Sequence, residues 1–106
     1  MIDQPNLKYV DELAGDDAAF RGQFIDIIKS EFPVEKQEYF EFVESSKDRE
    51  AAEMVHKLKH KFNILGMENA YRLAVAYEME LLDGKRDSKS KFDEVLEIIE
   101  QYIKTI

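Results

Sequence analysis

The sequence contains no cysteine, which excludes disulfides, thiolate chemistry and cysteine-based zinc sites. It has two prolines and four glycines, so few positions force a helix to end. No apolar run approaches the roughly 18 residues of a membrane-spanning helix, and residues 1–6 lack the basic start and apolar run of a signal peptide. The formal net charge of −8 is opposite to the broad basic face that nucleic acids and anionic membranes bind. We therefore expect a cytoplasmic protein that binds neither nucleic acid nor membrane.

The first half of the chain has helical periodicity and few breaks. Asn6 is predicted to cap a short N-terminal helix, and Asp16 or Asp17 to cap a second helix. Pro33 lacks an amide hydrogen and disfavours helical geometry in the residue before it, so we expect it either to kink this helix or to begin the next one. That next helix is predicted to end near Ser46. The pattern thus predicts a long arm that is broken around Pro33.

The second half predicts three further helices with narrow apolar stripes. Asp48 is expected to cap the first of them, Gly66 to end it as a left-handed residue, and Ser88 to cap the last. Such stripes with short connections are typical of antiparallel helix bundles. We therefore predict an all-α fold, an antiparallel four-helix bundle with a short extra N-terminal helix, in a single domain of residues 1–106. The apolar stripe of the helix after Asp48 consists of Ala51, Val55, Leu58, Phe62 and Leu65.

The segment from Met54 to Met67 holds both histidines and three lysines of the chain but no acidic residue. Each residue of a helix turns by about 100°, which brings several polar positions of this segment onto one face beside the apolar stripe. Lys59 and His60 lie one turn after His56, where side chains can meet. This concentration of positive charge and imidazole predicts a site on that face. The other members of the face are Ala52 and Asn63.

The residues alone leave three interpretations open. A neutral imidazole can accept a phosphoryl group, and a lysine beside it would stabilise the added negative charge. His56 and His60 are also spaced as metal ligands on one helix face, but Lys57 stands where the zincin pattern has glutamate, and neighbouring lysines would repel a dication. Exposed histidines and lysines are also common on the solvated face of a helix. We accordingly predict no metal site and leave the other two interpretations open at this point.

A wider set of residues follows a recognisable spacing. In and after the acid-free segment, the set is His56, Leu58, Lys59, Leu65, Gly66 and Glu78. Upstream, it is Leu13-Ala14-Gly15-Asp16-Asp17, Phe20, Phe24 and Phe32-Pro33. This combination resembles the histidine-containing phosphotransfer (HPt) domain family of bacterial multistep phosphorelays, and the resemblance covers nearly the whole chain.

The resemblance implies a phosphocarrier without an ATP site or catalysis of its own. His56 would accept a phosphoryl group from the aspartate of a receiver domain and return it to another, with Mg²⁺ supplied by the receiver and no cofactor on this chain. Lys59 and His60 would stabilise the phosphoryl group, and Gly66 would end the helix. The expected partners are response-regulator receiver domains or a hybrid sensor histidine kinase, and we expect a monomer. The residues predicted to form the receiver-docking face are Ala52, Lys57 and Asn63.

The sequence departs from the family at one position beside the proposed acceptor. The family usually has glycine one turn after the histidine, which keeps the approach to the imidazole open, whereas this chain has His60. The larger ring would hydrogen-bond the phosphoryl group, narrow the docking face or select a particular receiver. The alternative function is therefore a non-transferring helical adaptor that binds receiver domains without being phosphorylated.

Overall fold

Five α-helices account for most of residues 3–106, the part of the chain that the computed structural model describes, and that part contains no β-strand. The predictions of an all-α fold and of a short N-terminal helix are both confirmed. No helix in the described range is long and apolar enough to cross a bilayer. The helices are α1 (Lys8–Ala14), α2 (Ala18–Glu44), α3 (Asp48–Ile64), α4 (Glu68–Leu82) and α5 (Lys89–Ile103).

Of the two expectations for Pro33, the start of a new helix is wrong, because α2 runs through this residue as one helix. Proline removes one helical hydrogen bond and costs about 3 kcal/mol in a helix interior. Here Pro33 faces solvent, while Phe32 and Tyr39 on either side of it are completely buried in the same core. Burial of such side chains contributes about 2 kcal/mol each, so packing on both sides of the proline offsets the local cost.

A single cluster of buried side chains holds the helices together, and α3 lies at its centre. All five residues of the predicted α3 stripe are buried. Helix α3 packs against both α2 and α4, and α5 contacts these same two helices. Because α3 has neighbours on two sides, its remaining face, which carries His56 and His60, is exposed to solvent. The largest fully buried side chains include Phe32, Tyr39, Phe62, Tyr77 and Phe92.

The N-termini of α2 and α3 differ in how closely they follow the prediction. Asp17 caps α2, and its side chain accepts a hydrogen bond of 2.9 Å from the Phe20 amide. The cap of α3 is Lys47, so the prediction that Asp48 caps this helix is wrong. Asp48 is instead the first helical residue, where its negative charge favours the helix N-terminus. Its carboxylate is bound there by Arg86 at 2.7 Å.

Two further predicted caps make other contacts. Helix α1 is capped by Leu7 rather than Asn6, although the Asn6 side chain still accepts a hydrogen bond from the Lys8 amide at 3.0 Å. Ser88 does stand at the cap position of α5, but its hydroxyl makes no capping bond to that helix. Both its hydroxyl and its amide instead donate to the Glu80 carboxylate, at 2.7 and 2.8 Å. These contacts tie the α4–α5 connection to the last turns of α4.

Gly66 follows the last turn of α3 with a φ of +73°, a conformation that glycine adopts without a steric penalty. The Gly66 amide donates to the carbonyl of Asn63 at 3.1 Å, and the Met67 amide donates to that of Phe62 at 2.9 Å. These two bonds form a Schellman motif that satisfies the last carbonyls of the helix. A Cβ at this position would also lie 2.7 Å from the Asn6 side chain, so both the backbone angle and the contact require glycine.

Candidate functional site

His56 lies near the middle of α3 with its side chain 53% exposed. Its neighbours Val55 and Leu58 are completely buried, so the backbone that carries the ring is fixed by the core. The recorded hydrogen bonds of the ring involve Nδ1, which lies 3.2 and 3.3 Å from the two carboxylate oxygens of Glu78 on α4. The ring is therefore anchored on one nitrogen and open to solvent.

The Glu78 contact assigns the tautomer of the ring. A carboxylate only accepts hydrogen bonds, so Nδ1 must carry the hydrogen in this contact. In a neutral imidazole the other nitrogen then holds a lone pair. Nε2 of His56 accordingly carries the free lone pair of the neutral ring.

Lys59 shares the same carboxylate. Its Nζ lies 3.1 Å from Oε1 of Glu78 and 5.9 Å from the centre of the Tyr71 ring. The Lys59 side chain is only 12% exposed, and that of Glu78 is 22% exposed. Glu78 thus joins His56 and Lys59 in one three-residue cluster between α3 and α4. The sequence resemblance included Glu78, but its spacing alone did not indicate the contact with the imidazole.

His60 is exposed and lies beside His56. The two ring centres are 5.1 Å apart and the ring planes are nearly perpendicular, at 86°. The edge of one imidazole therefore points at the face of the other. His60 occupies the space that a glycine would leave empty at this position, so any group bound to His56 must share that space with a second imidazole.

An open pocket of about 410 Å³ adjoins His56 on its α4 side. Lys57 is exposed at the pocket. Ala52 is only 3% exposed, so it forms part of the pocket floor and does not project toward a partner. Arg49 and Leu82 also line the pocket, and the sequence analysis did not identify either of them. The remaining lining residues are Glu53, His56 and Glu78.

Asn63 lies apart from this pocket. It is exposed and lines a separate depression of about 520 Å³ with Tyr9, Gly66 and Tyr71. The structure therefore brings Ala52 and Lys57 together next to His56 but leaves Asn63 at the other end of α3. Tyr71 is the link between the two regions, because it lines the Asn63 depression and also lies under the Lys59 ammonium.

Within residues 3–106, no group of three or more histidine, aspartate and glutamate side chains is arranged to hold a metal ion. Comparisons with known proteins do not extend the assignment either: no protein-family model, no curated protein sequence and no solved structure matches this chain. The His56 cluster itself is therefore the basis for assigning a function.

Proposed function

We propose that the protein is a histidine phosphocarrier that relays a phosphoryl group between receiver-domain aspartates. In the forward step, Nε2 of His56 attacks the phosphorus of an aspartyl phosphate. The new N–P bond forms as the acyl P–O bond breaks, and the aspartate leaves as a carboxylate. The reverse step hands the group to a second receiver. Mg²⁺ on the receiver would neutralise the phosphoryl oxygens, so this chain needs no metal of its own.

The observation that carries this proposal is the exposed His56 ring held through Nδ1 by Glu78. A phosphoryl acceptor needs a lone pair that faces the donor and a ring that does not rotate away. The carboxylate supplies both conditions, since it fixes the ring and places the hydrogen on Nδ1. It also stabilises the positive charge that the ring gains as Nε2 attacks.

The charges around His56 suit the product as well as the nucleophile. A phosphoryl group adds nearly two negative charges and three acceptor oxygens. Lys59 lies in the same cluster, held at 3.1 Å by Glu78, and would be shared between that carboxylate and the phosphoryl group. The edge-to-face contact of His60 with His56 puts a second donor at the acceptor ring. The absence of acidic residues from Met54 to Met67 avoids repulsion within the segment itself.

The finer fold expected of such a carrier, an antiparallel HPt-like four-helix bundle, is part of the same proposal. Contacts between helices support it. Lys61 near the end of α3 binds Glu31 in the middle of α2 at 2.9 Å, although the start of α3 directly follows the end of α2. Tyr39 of α2 donates to Asp93 near the start of α5 at 2.8 Å, whereas the earlier Lys36 binds Glu100 near the end of α5 at 2.8 Å. These contacts fit α2 running antiparallel to α3 and α5.

The test uses the purified chain, Mg²⁺ and a panel of receiver domains that carry radiolabelled aspartyl phosphate. We expect label on the chain that is acid-labile and base-stable, as a phosphoramidate is, and whose amount equals the loss from the receiver. His56→Gln should abolish it, while circular dichroism shows unchanged helix content, because the ring is exposed. His60→Gln is the matched comparison, a histidine one turn away on the same helix: it should still take up label, although at an altered rate, because His60 is not the acceptor.

The labelling experiment also distinguishes the phosphocarrier from the adaptor and tests the assignment of the acceptor. If no receiver transfers label but several bind, the protein is the non-transferring adaptor. If His56→Gln is labelled as the unaltered chain is, the acceptor assignment is wrong. His60→Gly then separates two roles for the second ring: faster transfer means that His60 only crowds the site, and slower transfer means that its imidazole assists.

A further inference from the structure

Helix α4 carries an exposed apolar ridge next to the His56 cluster. Val75, Met79 and Leu82 are 37%, 65% and 60% exposed. Their spacing of four and three residues puts them on one face of the helix. Glu78 adjoins Met79 in the sequence, and Leu82 lines the same pocket as His56. The ridge therefore borders the acceptor, and a partner that reaches His56 from this side would cover it.

The charges at the pocket beside this ridge are unlike those of the whole chain. Arg49 and Lys57 both line the pocket, and neither forms an ion pair within residues 3–106. Glu53 is the one lining carboxylate outside the His56 cluster, since Glu78 is balanced by Lys59. With Lys59 counted beside Glu78, the pocket region carries three positive charges against two negative ones, in a chain whose net charge is −8. It complements an acidic surface.

The opposite side of α3, which faces α2, has more negative than positive charge. Lys61 is held there by two carboxylates, Glu31 at 2.9 Å and Glu35 at 3.1 Å. One ammonium against two carboxylates leaves that side with a negative charge, which would repel an acidic partner. The excess of carboxylates around Lys61 therefore makes the groove between α3 and α4 the more favourable side of α3 for an acidic partner.

We propose that the partner domain that carries the aspartyl phosphate docks across the α3–α4 groove, with an apolar side chain against Val75, Met79 and Leu82. The active site of this domain holds Mg²⁺ through carboxylates and so has an acidic rim. This rim faces Arg49 and Lys57, and the phosphoryl group faces Nε2 of His56. This inference rests on the proposed function and adds the side of the acceptor that the partner covers. The apolar ridge supplies buried area, and the two cations supply orientation and association rate.

The test measures transfer from the receiver domain that labels the unaltered chain fastest, using Leu82→Glu and Met79→Glu. Each change removes an apolar contact and places a negative charge opposite the acidic rim. We expect kcat/KM for transfer to fall about tenfold, as for a central interface side chain. Labelling by phosphoramidate should stay unchanged, because this small donor needs no docking: its P–N bond breaks as the bond to His56 forms, and ammonia leaves.

Val34→Glu is the matched control, since Val34 is 55% exposed on α2 and also apolar. We expect it to transfer at the rate of the unaltered chain. Leu82→Ser repeats the test without added charge, and circular dichroism checks folding of all four variants. The docking surface is overturned if Leu82→Glu and Met79→Glu keep normal transfer, or if Val34→Glu loses as much. If no receiver labels the unaltered chain, the proposed function fails first and the docking surface with it.

Discussion

Replacing Glu78 with alanine removes the carboxylate that holds both His56 and Lys59. The imidazole then loses its partner at Nδ1, and the Lys59 ammonium loses its contact at 3.1 Å. Both tautomers of the ring become accessible, so the lone pair is no longer confined to Nε2. The positive charge that develops on the ring during attack also loses its compensating negative charge. We expect phosphoryl transfer to slow in both directions.

The size of the expected rate loss depends on how far the His56–Glu78 pair is exposed to solvent. A hydrogen bond to a charged group contributes about 1.5–3 kcal/mol, but His56 is 53% exposed and Glu78 is 22% exposed, so solvent screening lowers this to about 1 kcal/mol. Since 1.4 kcal/mol corresponds to a factor of ten, the expected loss is about fivefold. The loss should fall on kcat with little change in KM, because the Glu78 carboxylate is engaged by His56 and Lys59 and is only 22% exposed to a partner. Glu78→Gln keeps an acceptor without the charge and should lie between the two.

The assay is single-turnover transfer from a labelled receiver, together with ¹⁵N spectra of the His56 ring to report its tautomer. Glu68→Ala is the control, because Glu68 is on the same helix and binds Arg72 at 2.6 Å in an exposed pair. Its removal should alter neither the rate nor the spectrum. Normal transfer by Glu78→Ala, or a ring that keeps its hydrogen on Nδ1 without the carboxylate, would refute the positioning role.

Three further predictions concern stability and are checked by thermal unfolding. Lys61→Met should lower the free energy of unfolding by about 2 kcal/mol and Tm by about 10 °C, because Glu35, which is 16% exposed, loses its cation. Adding Glu35→Leu should recover most of this stability, and a double variant without recovery would contradict this account. Gly66→Ala should cost about 1–2 kcal/mol, because its φ is +73° and a Cβ would meet Asn6; an unchanged Tm would mean that the loop relaxes without strain. Burial raises the pKa of Tyr39 well above its ordinary value, with smaller contributions from its hydrogen bonds to Tyr77 and Asp93. Folding keeps Tyr39 protonated while the unfolded residue ionises near pH 10, so stability should be full below about pH 10 and decline above it; Tyr39→Phe should flatten that decline, and an equally steep decline would refute the assignment.

The sequence was sufficient to predict the all-α fold and the buried stripe of α3, because the local pattern and the packing agree there. The α3 stripe is an example, because its spacing of three and four residues admits only one buried face, and the polar face with His56 follows from it. Gly66 was predictable for a similar local reason: only glycine accepts a positive φ without a penalty. Such features depend on a few consecutive residues and need no knowledge of neighbouring helices.

The features that could not be predicted from the sequence depend on contacts between distant segments. Pro33 does not break α2, because burial on both sides outweighs the local preference, and a local rule cannot measure that burial. Ala52 lies in the pocket floor because α4 approaches α3 closely there. Leu82 could have been found by one signal: it follows Leu81 of the buried α4 stripe, so an apolar residue stands on the outer face of the helix where packing does not require one.

The three lysines of the acid-free segment have different surroundings, although they look equivalent in the sequence. Lys61 is held by Glu31 and Glu35 of α2 and so joins two helices. Lys59 is held by Glu78 of α4 and belongs to the His56 cluster. Lys57 is exposed at the pocket and forms no ion pair among the described residues. The carboxylates that balance the charge of this segment thus come from α2 and α4 and not from the segment itself. Lys57, the one lysine without such a carboxylate, faces the side where a partner is proposed to dock.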